Sequence, residues 1–170
     1  MDANPYRAIV ITVSDRSAAG AREDRSGPAA VAALRAGGWD CADPVVVPDG
    51  ADSVEAALRA ALAEGARLIV TTGGTGVSPR DATPEGTARV LTRQVPGIAE
   101  ELRRLGASEK PGGMLSRGLA GVVDAAPSGA RAGALVVNLP GSTAAVGSGI
   151  PVILSVARHV IDQLAGGDHA

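Results

Sequence analysis

The chain is poor in the residues that build several common kinds of functional site. Among its 170 residues there is no Phe, one Trp (Trp39) and one Tyr (Tyr6). So few rings leave no platform on which a single-stranded nucleic acid would stack its bases. The net charge of -2 also lacks the basic field that draws a polyanion. No nucleic-acid partner is expected. Cys41 is the only cysteine, which rules out an internal disulfide framework and a thiolate metal cluster. The two histidines, His159 and His169, both lie near the C-terminus. His159 reads as a helix-surface residue favoured by the C-terminal dipole, and His169 as part of a tail. No His–Cys or Ser–His–Asp constellation is visible. No apolar run approaches a membrane span, and "MDANPYRA" lacks the basic and apolar regions of a signal peptide. A cytoplasmic location without a membrane partner is the expectation.

What is present is the balance of an ordinary globule, 45% apolar and 20% charged. The length suits one domain over 1–170, with mobile tails expected at 1–6 and 166–170. Strand and helix signals alternate. "AIVITVS" (8–14) is a β-branched strand run, and Ser26 reads as the N-cap of a helix that Gly37 stops. "VVV" (45–47) is a second strand. Asp52 with Glu55 forms a capping-box-like pair ahead of a helix ended by Gly65. "RLIVTT" is the third strand. Thr83-Pro84 opens a helix expected to run to about Arg93, and Pro96-Gly97 restarts it. After the short apolar piece "LAGVV" comes a last strand, 134–138. Pro151 then begins a terminal helix, with Val152, Val156, Ala157, Val160, Ile161 and Leu164 on one face. Strands that are apolar on both faces, separated by amphipathic helices, indicate a mostly parallel sheet covered by helices.

The stretch "TTGGTGVSPRDATPE" (71–85) follows directly on the third strand. In open α/β sheets ligands sit beyond the carboxyl ends of the strands, where Gly73, Gly74, Thr75 and Gly76 stand. Glycines let backbone N–H groups turn toward an anion. The loop is neither a P-loop, which needs Gly-Lys-Ser/Thr, nor a dinucleotide fingerprint, since position 79 is Pro. Alone, "GGTG" fits a tight connection as well as a phosphate nest. Arg80 adds a phosphate-sized cation, and Asp81 adds a hard oxygen ligand. An ordinary surface ion pair is the plainer alternative for those two. "VSDR" with Ser14 and Asp15, "VPDG" with Asp49, and "NLPGST" with Asn138, Pro140, Gly141 and Ser142 close other strands. Each also fits a plain turn or cap, as Ser142 does. With no strong side-chain base in view, phosphate attacking phosphate suits the residues, because that nucleophile is already ionised.

These motifs, in order with "VPGIAEELRR", "MLSRGLAGV" and "LVVNLPGS", resemble the molybdopterin adenylyltransferase family. This is the MogA/MoaB group that includes the G domain of gephyrin. The resemblance covers nearly the whole chain. It implies a three-layer α/β/α fold with a mostly parallel, mixed sheet of about five strands, assembled as a homotrimer. It implies transfer of AMP from ATP to the terminal phosphate of molybdopterin, releasing pyrophosphate, with Mg²⁺. By position, Asp81 looks like the essential carboxylate, serving the metal and transition-state charge, and Asp49 like a second catalytic carboxylate. Gly73, Gly74, Thr75 and Gly76 would cradle nucleotide phosphates, in a pocket lined by Ser14, Asp15, Asn138, Pro140, Gly141 and Ser142. Ser116 and Arg117, with Arg80, would face the pterin and its phosphate. A downstream molybdate-insertion enzyme is an implied partner. Two segments depart from the family pattern, "VDAAPSGARAG" (123–133) and "STAAVGSGIPV" (142–152), and both are expected near the pterin half. They leave open an alternative, a non-catalytic molybdopterin carrier of the MoaB type.

Overall fold

Strand and helix alternate along the computed structural model, which describes residues 4–167. Seven strands form one sheet: β1 (Arg7–Val13), β2 (Asp40–Cys41), β3 (Val45–Val47), β4 (Leu68–Thr72), β5 (Arg93–Gln94), β6 (Ala120–Val123) and β7 (Ala134–Leu139). Their order is β2-β1-β4-β7-β6-β5, with β3 also on β1. The pairs among β1, β2, β3, β4 and β7 are parallel, while β6 is antiparallel to β5 and β7. The mixed sheet thus has more strands than the five or so expected. The additions β2 and β5 are two residues each, too short for an alternating pattern to show.

The helices are α1 (Asp15–Ala18), α2 (Ser26–Ala36), α3 (Ala51–Ala63), α4 (Thr83–Ala88), α5 (Pro96–Glu109) and α6 (Thr143–Leu164), with a 3-10 turn at Pro111–Leu115. Successive strand residues point to opposite faces, and two cores result. Ala8, Val10, Leu68, Val70, Leu135 and Val137 pack under α2, α5 and α6. Ile9, Ile11, Ile69 and Val136 pack under α3, which contributes Val54, Leu58 and Leu62. This is the three-layer arrangement. Each fully buried Leu or Val on these faces contributes about 1.5–3 kcal/mol of transfer free energy.

Several boundaries differ from the sequence expectation. α6 begins at Thr143, not Pro151, because Ser142 caps it by accepting from the Ala145 N–H at 3.1 Å. Pro151 sits inside the helix, but it and Gly147, whose carbonyl loses a donor, are exposed to solvent. The resulting 22-residue helix has a mean hydropathy of 1.5 over its best window, long and apolar enough to cross a membrane by composition, which the sequence reading did not foresee. Its buried line, Val146, Ile150, Ile153, Ala157 and Ile161, faces the first core. Of the expected apolar face, Ala157 and Ile161 are buried, while Val152, Val156, Val160 and Leu164 are half-buried. α4 stops at Ala88, and Arg93–Gln94 instead pairs with Val122 and Gly121.

Ser26 lies within α2; the N-cap position is Arg25, and it is Asp24, one residue earlier, whose Oδ1 accepts from the Gly27 N–H at 3.0 Å. Asp52 and Glu55 make no capping box. Both accept from Arg89 Nη1, at 2.7 and 3.2 Å, tying α3 to the end of α4. Residues 1–3 and 168–170 of the expected tails, His169 among them, lie outside the described residues. Tyr6 is anchored, edge-on to Trp39 at 5.6 Å between ring centroids and under the Arg158 guanidinium at 4.7 Å. Gly166 and Gly167 close α6 with N–H donations to Gln163 and Asp162 carbonyls. Those parts of the tails are structured. His159 is exposed on α6, its Nε2 2.7 Å from Gln163 Nε2.

Candidate active site

Because β1, β3, β4 and β7 are parallel, their carboxyl ends share one edge of the sheet. Ser14 and Asp15 follow β1, Asp49 follows β3, the glycine loop follows β4 and Pro140–Ser142 follow β7. Gly73 (φ +100) and Gly74 (φ +66) hold left-handed backbone, which costs a side-chain-bearing residue energy. A Cβ on Gly73 would collide with the Val13 carbonyl, and one on Gly74 with Thr83 Oγ1. Bare backbone is what lets the loop pass between β1 and α4. The loop is then tied at its start. Gly73 N–H donates to the Leu139 carbonyl at 2.9 Å, Thr83 N–H to the Gly74 carbonyl at 3.0 Å, and Thr83 Oγ1 to the Gly73 carbonyl at 2.9 Å. Asp81 folds back on the same loop. Its Oδ2 accepts from the Ser78 N–H at 3.0 Å and stands 2.8 Å from where a Cβ on Gly76 would be. Its Oδ1 has no partner among the described residues.

A cavity of about 390 Å³ opens here, within the size range of small-molecule sites. Gly73, Gly74, Thr75, Gly76 and Asp81 form one wall, continued by Asn138, Pro140, Gly141 and Ser142. The opposite wall is α5, the 3-10 turn and Ser116. Ala99, Leu102, Leu105 and Leu115 make that wall largely apolar, with Arg103, Glu109 and Lys110 as its charged members. Sequence reasoning did not single out Arg103 or Lys110, because charges on an amphipathic helix read as its solvent face. The available signal was the glycine-rich "KPGGM", which folds the chain back so closely that a Cβ on Gly113 would collide with the Gly106 carbonyl. Arg103 Nη1 donates to the Gly118 carbonyl at 2.9 Å, bracing the turn.

The remaining expected residues stand behind the glycine wall, outside the cavity lining. Ser14 caps α1 by accepting from the Ser17 N–H at 3.2 Å. Asp15 and Asp49 exchange backbone donations: Asp15 N–H to Asp49 Oδ2 at 2.9 Å, Asp49 N–H to Asp15 Oδ1 at 3.1 Å. Asp49 Oδ1 is 3.1 Å from the position of a Cβ on Gly74, so this carboxylate abuts the loop. Arg80 grips Asp15 with two donors, at 3.0 and 2.9 Å, and donates to the Asp49 carbonyl at 3.1 Å. That guanidinium holds the Asp15 carboxyl below its ordinary range. Arg117 donates to loop carbonyls and to Glu85, whose carboxyl it likewise lowers. Asn138 lines the cavity, but its amide is committed to the fold. Oδ1 accepts from the Leu119 N–H at 3.0 Å, and Nδ2 donates to Thr71 and Thr87 Oγ1 at 2.9 and 3.0 Å.

The long segment ahead of β7 does not reach the site. It joins β6 to the start of β7, and the cavity lies at the other end of that six-residue strand, roughly 20 Å away at the usual rise. The expectation that this loop borders the pterin half is corrected by the direction of β7. The glycine- and alanine-rich segment does reach the cavity, through Ala144, Ala145, Ser148 and Gly149 on the first turns of α6.

A mixed, mostly parallel α/β sheet with a glycine wall and paired carboxylates at its carboxyl edge defines an α/β domain whose candidate ligand site lies beyond the strand ends. A family model described as a probable molybdopterin binding domain matches residues 9–159, and the chain belongs to that family, within the MogA/MoaB group. A molybdenum cofactor biosynthesis bifunctional protein of Synechococcus elongatus is 42% identical over 95% of this chain. A molybdopterin adenylyltransferase of Pyrococcus furiosus is 36% identical, the match covering 92% of this chain and 89% of that protein. Among solved structures, MogA superposes with a TM-score of 0.84 at 39% identity, covering 93% of this chain and 99% of that one. The tungsten cofactor synthesizing protein MoaB from Pyrococcus furiosus gives 0.84 at 34%, covering 94% and 96%. The chain spans about half the length of the bifunctional relatives it matches, 48% and 50%.

Proposed function

We propose that the chain is a molybdopterin adenylyltransferase. A phosphate oxygen of molybdopterin attacks the α-phosphorus of ATP, the bond to the β-phosphate oxygen breaks, and pyrophosphate leaves. The observation that carries this reading is one cavity with two unlike walls. One is bare glycine backbone with the Asp81 carboxylate, suited to phosphates; the other is apolar α5 surface, suited to a flat heterocycle. The charged residues lining it are Asp81, Arg103, Glu109 and Lys110, none of them a histidine or cysteine. A reaction between two phosphates needs alignment and charge neutralisation more than a base.

In this reading Gly73, Gly74, Thr75 and Gly76 cradle nucleotide phosphates beside Pro140, Gly141 and Ser142, and Ser116 faces the pterin. Mg²⁺ fits the donors present. No group of three or more His, Cys, Asp or Glu able to hold a metal occurs among the described residues. Asp81 and Asp49 each present an Oδ1 with no hydrogen-bond partner there, and one or two carboxylates with substrate phosphates are the usual Mg²⁺ setting. Bound there, the ion would neutralise phosphate charge. Homotrimeric assembly, hand-over to a molybdate-insertion enzyme and cytoplasmic residence belong to the same proposal; light scattering checks the first.

The test is incubation with molybdopterin, ATP and Mg²⁺, following pyrophosphate and adenylylated pterin. Asp81→Asn is expected to fold, to bind pterin and to release no pyrophosphate. Undiminished turnover in that variant would remove Asp81 from catalysis. Tight pterin binding without turnover in the unaltered protein would establish the carrier reading instead.

A further inference from the structure

We infer that Arg117 is a positioning residue, which acts on the reaction by pinning the Asp81 loop and not by touching the pterin substrate. The inference rests on the proposed reaction for its turnover arm alone. Arg117 sits just before β6, its own N–H donating to the Thr75 carbonyl at 2.7 Å. Its side chain then spans the loop. Nε donates to the Gly76 carbonyl at 2.8 Å, Nη2 to the Asp81 carbonyl at 2.9 Å, and Nη1 to the Glu85 carboxylate on α4. Gly76 and Asp81 are the two ends of a six-residue excursion, so one rigid planar fork sets the chord between them. Holding the Asp81 carbonyl limits rotation about that residue, and with it the direction of the carboxylate.

The next residue back is staked from the opposite side. Arg80 grips Asp15 and the Asp49 carbonyl at the ends of β1 and β3. Two arginines thus hold a loop whose tip is otherwise exposed, Val77 being 68% accessible. Arg117 reaches two carbonyls and a carboxylate at once because guanidinium is a planar, multiply donating group. A lysine in its place is a point charge and meets one of them. All three nitrogens of Arg117 are engaged with the protein, which leaves Lys110 and the other nitrogens of Arg103, both in the cavity lining, to meet ligand charge.

The experiment compares hydrogen–deuterium exchange, molybdopterin affinity and turnover in the unaltered protein, Arg117→Ala and Arg117→Lys. Ser78, Asp81 and Thr83 amides report loop closure, since each donates within the loop or to its start. Both variants are expected to exchange there roughly tenfold or more faster, the scale set by losing a charge-assisted hydrogen bond. Molybdopterin Kd should move by less than about twofold while kcat falls, the pattern of a lost transition-state arrangement. Glu85→Gln removes the charge from the Nη1 contact but leaves the two carbonyl bonds, so its exchange should rise less; it and the lysine variant carry the test if Arg117→Ala fails to fold. Unchanged exchange in Arg117→Lys, or pterin affinity lost in the alanine variant and restored by lysine, would overturn the inference. If the unaltered protein makes no product, the proposed function fails, and the exchange comparison still decides the role of Arg117.

Discussion

Gly74→Ala puts the glycine wall to a quantitative test. The native φ of +66 costs an alanine about 1 kcal/mol in backbone energy. The new Cβ would also collide with Thr83 Oγ1, and it would lie 3.1 Å from Asp49 Oδ1. Turning the Thr83 side chain relieves the first contact but breaks its 2.9 Å bond to the Gly73 carbonyl. Thr83 is fully buried, so the groups left without partners cost about 1–3 kcal/mol more. The total is about 2–4 kcal/mol, a fall in Tm of roughly 4–16 °C for a chain of this size. Gly20→Ala is the control. Gly20 has a similar φ of +71 and nothing within 4 Å of its would-be Cβ, so it should show the backbone cost alone. Urea unfolding of both variants gives the difference, and calorimetry of ATP binding gives its functional counterpart. Equal destabilisation of the two, or ATP affinity unchanged in Gly74→Ala, would refute the account of a crowded phosphate-binding backbone.

Asn138→Ala is expected to lower stability by about 3–5 kcal/mol, because the Leu119 N–H and the Thr71 and Thr87 hydroxyls lose their partner in a buried site. Urea unfolding measures it; a loss under about 1 kcal/mol would mean the amide serves a ligand more than the fold. The arginine clamps also make a pH prediction. The carboxyls of Asp15 and Glu85 are lowered from ordinary values of 3.8 and 4.5 by Arg80 and Arg117 respectively. Folding therefore releases protons from them in that range. Their contribution is complete above the ordinary values and is lost as pH falls through the lowered ones. Exchange of the 76–83 amides, corrected for its intrinsic rate, should stay flat from neutral pH down to about 5 and rise only in stronger acid. A rise centred near neutrality would contradict it.

Periodicity and punctuation made the layered fold legible, because the unbroken apolar, β-branched runs of β1, β4 and β7 and the apolar spacing in the helices are local properties of the chain. They failed where an element was too short to have a period, as in β2 and β5. They failed also where a strong local signal was overridden: Pro151 reads as a helix start, yet Ser142 supplies the cap and core packing carries the helix through. In the site, the glycine loop, Asp81 and the Pro140–Ser142 turn were visible as residue types at strand ends, and the structure brings them to one cavity.

The sequence by itself determined the chemistry on offer: bare backbone, carboxylates and arginines after parallel strands, with no histidine or thiol among them. Only the tertiary structure decided how those groups are used. It set Arg80 and Arg117 across the loop as clamps, spent the Asn138 amide on two threonines and a backbone N–H, and placed Arg103 and Lys110 on the cavity's far wall. It also sent the long 124–133 loop to the opposite edge of the sheet. The physical reason is that hydrogen bonds among residues dozens of positions apart, such as Arg80 with Asp15 and Arg117 with Gly76, depend on strand order and helix placement. No pattern confined to neighbouring residues encodes those.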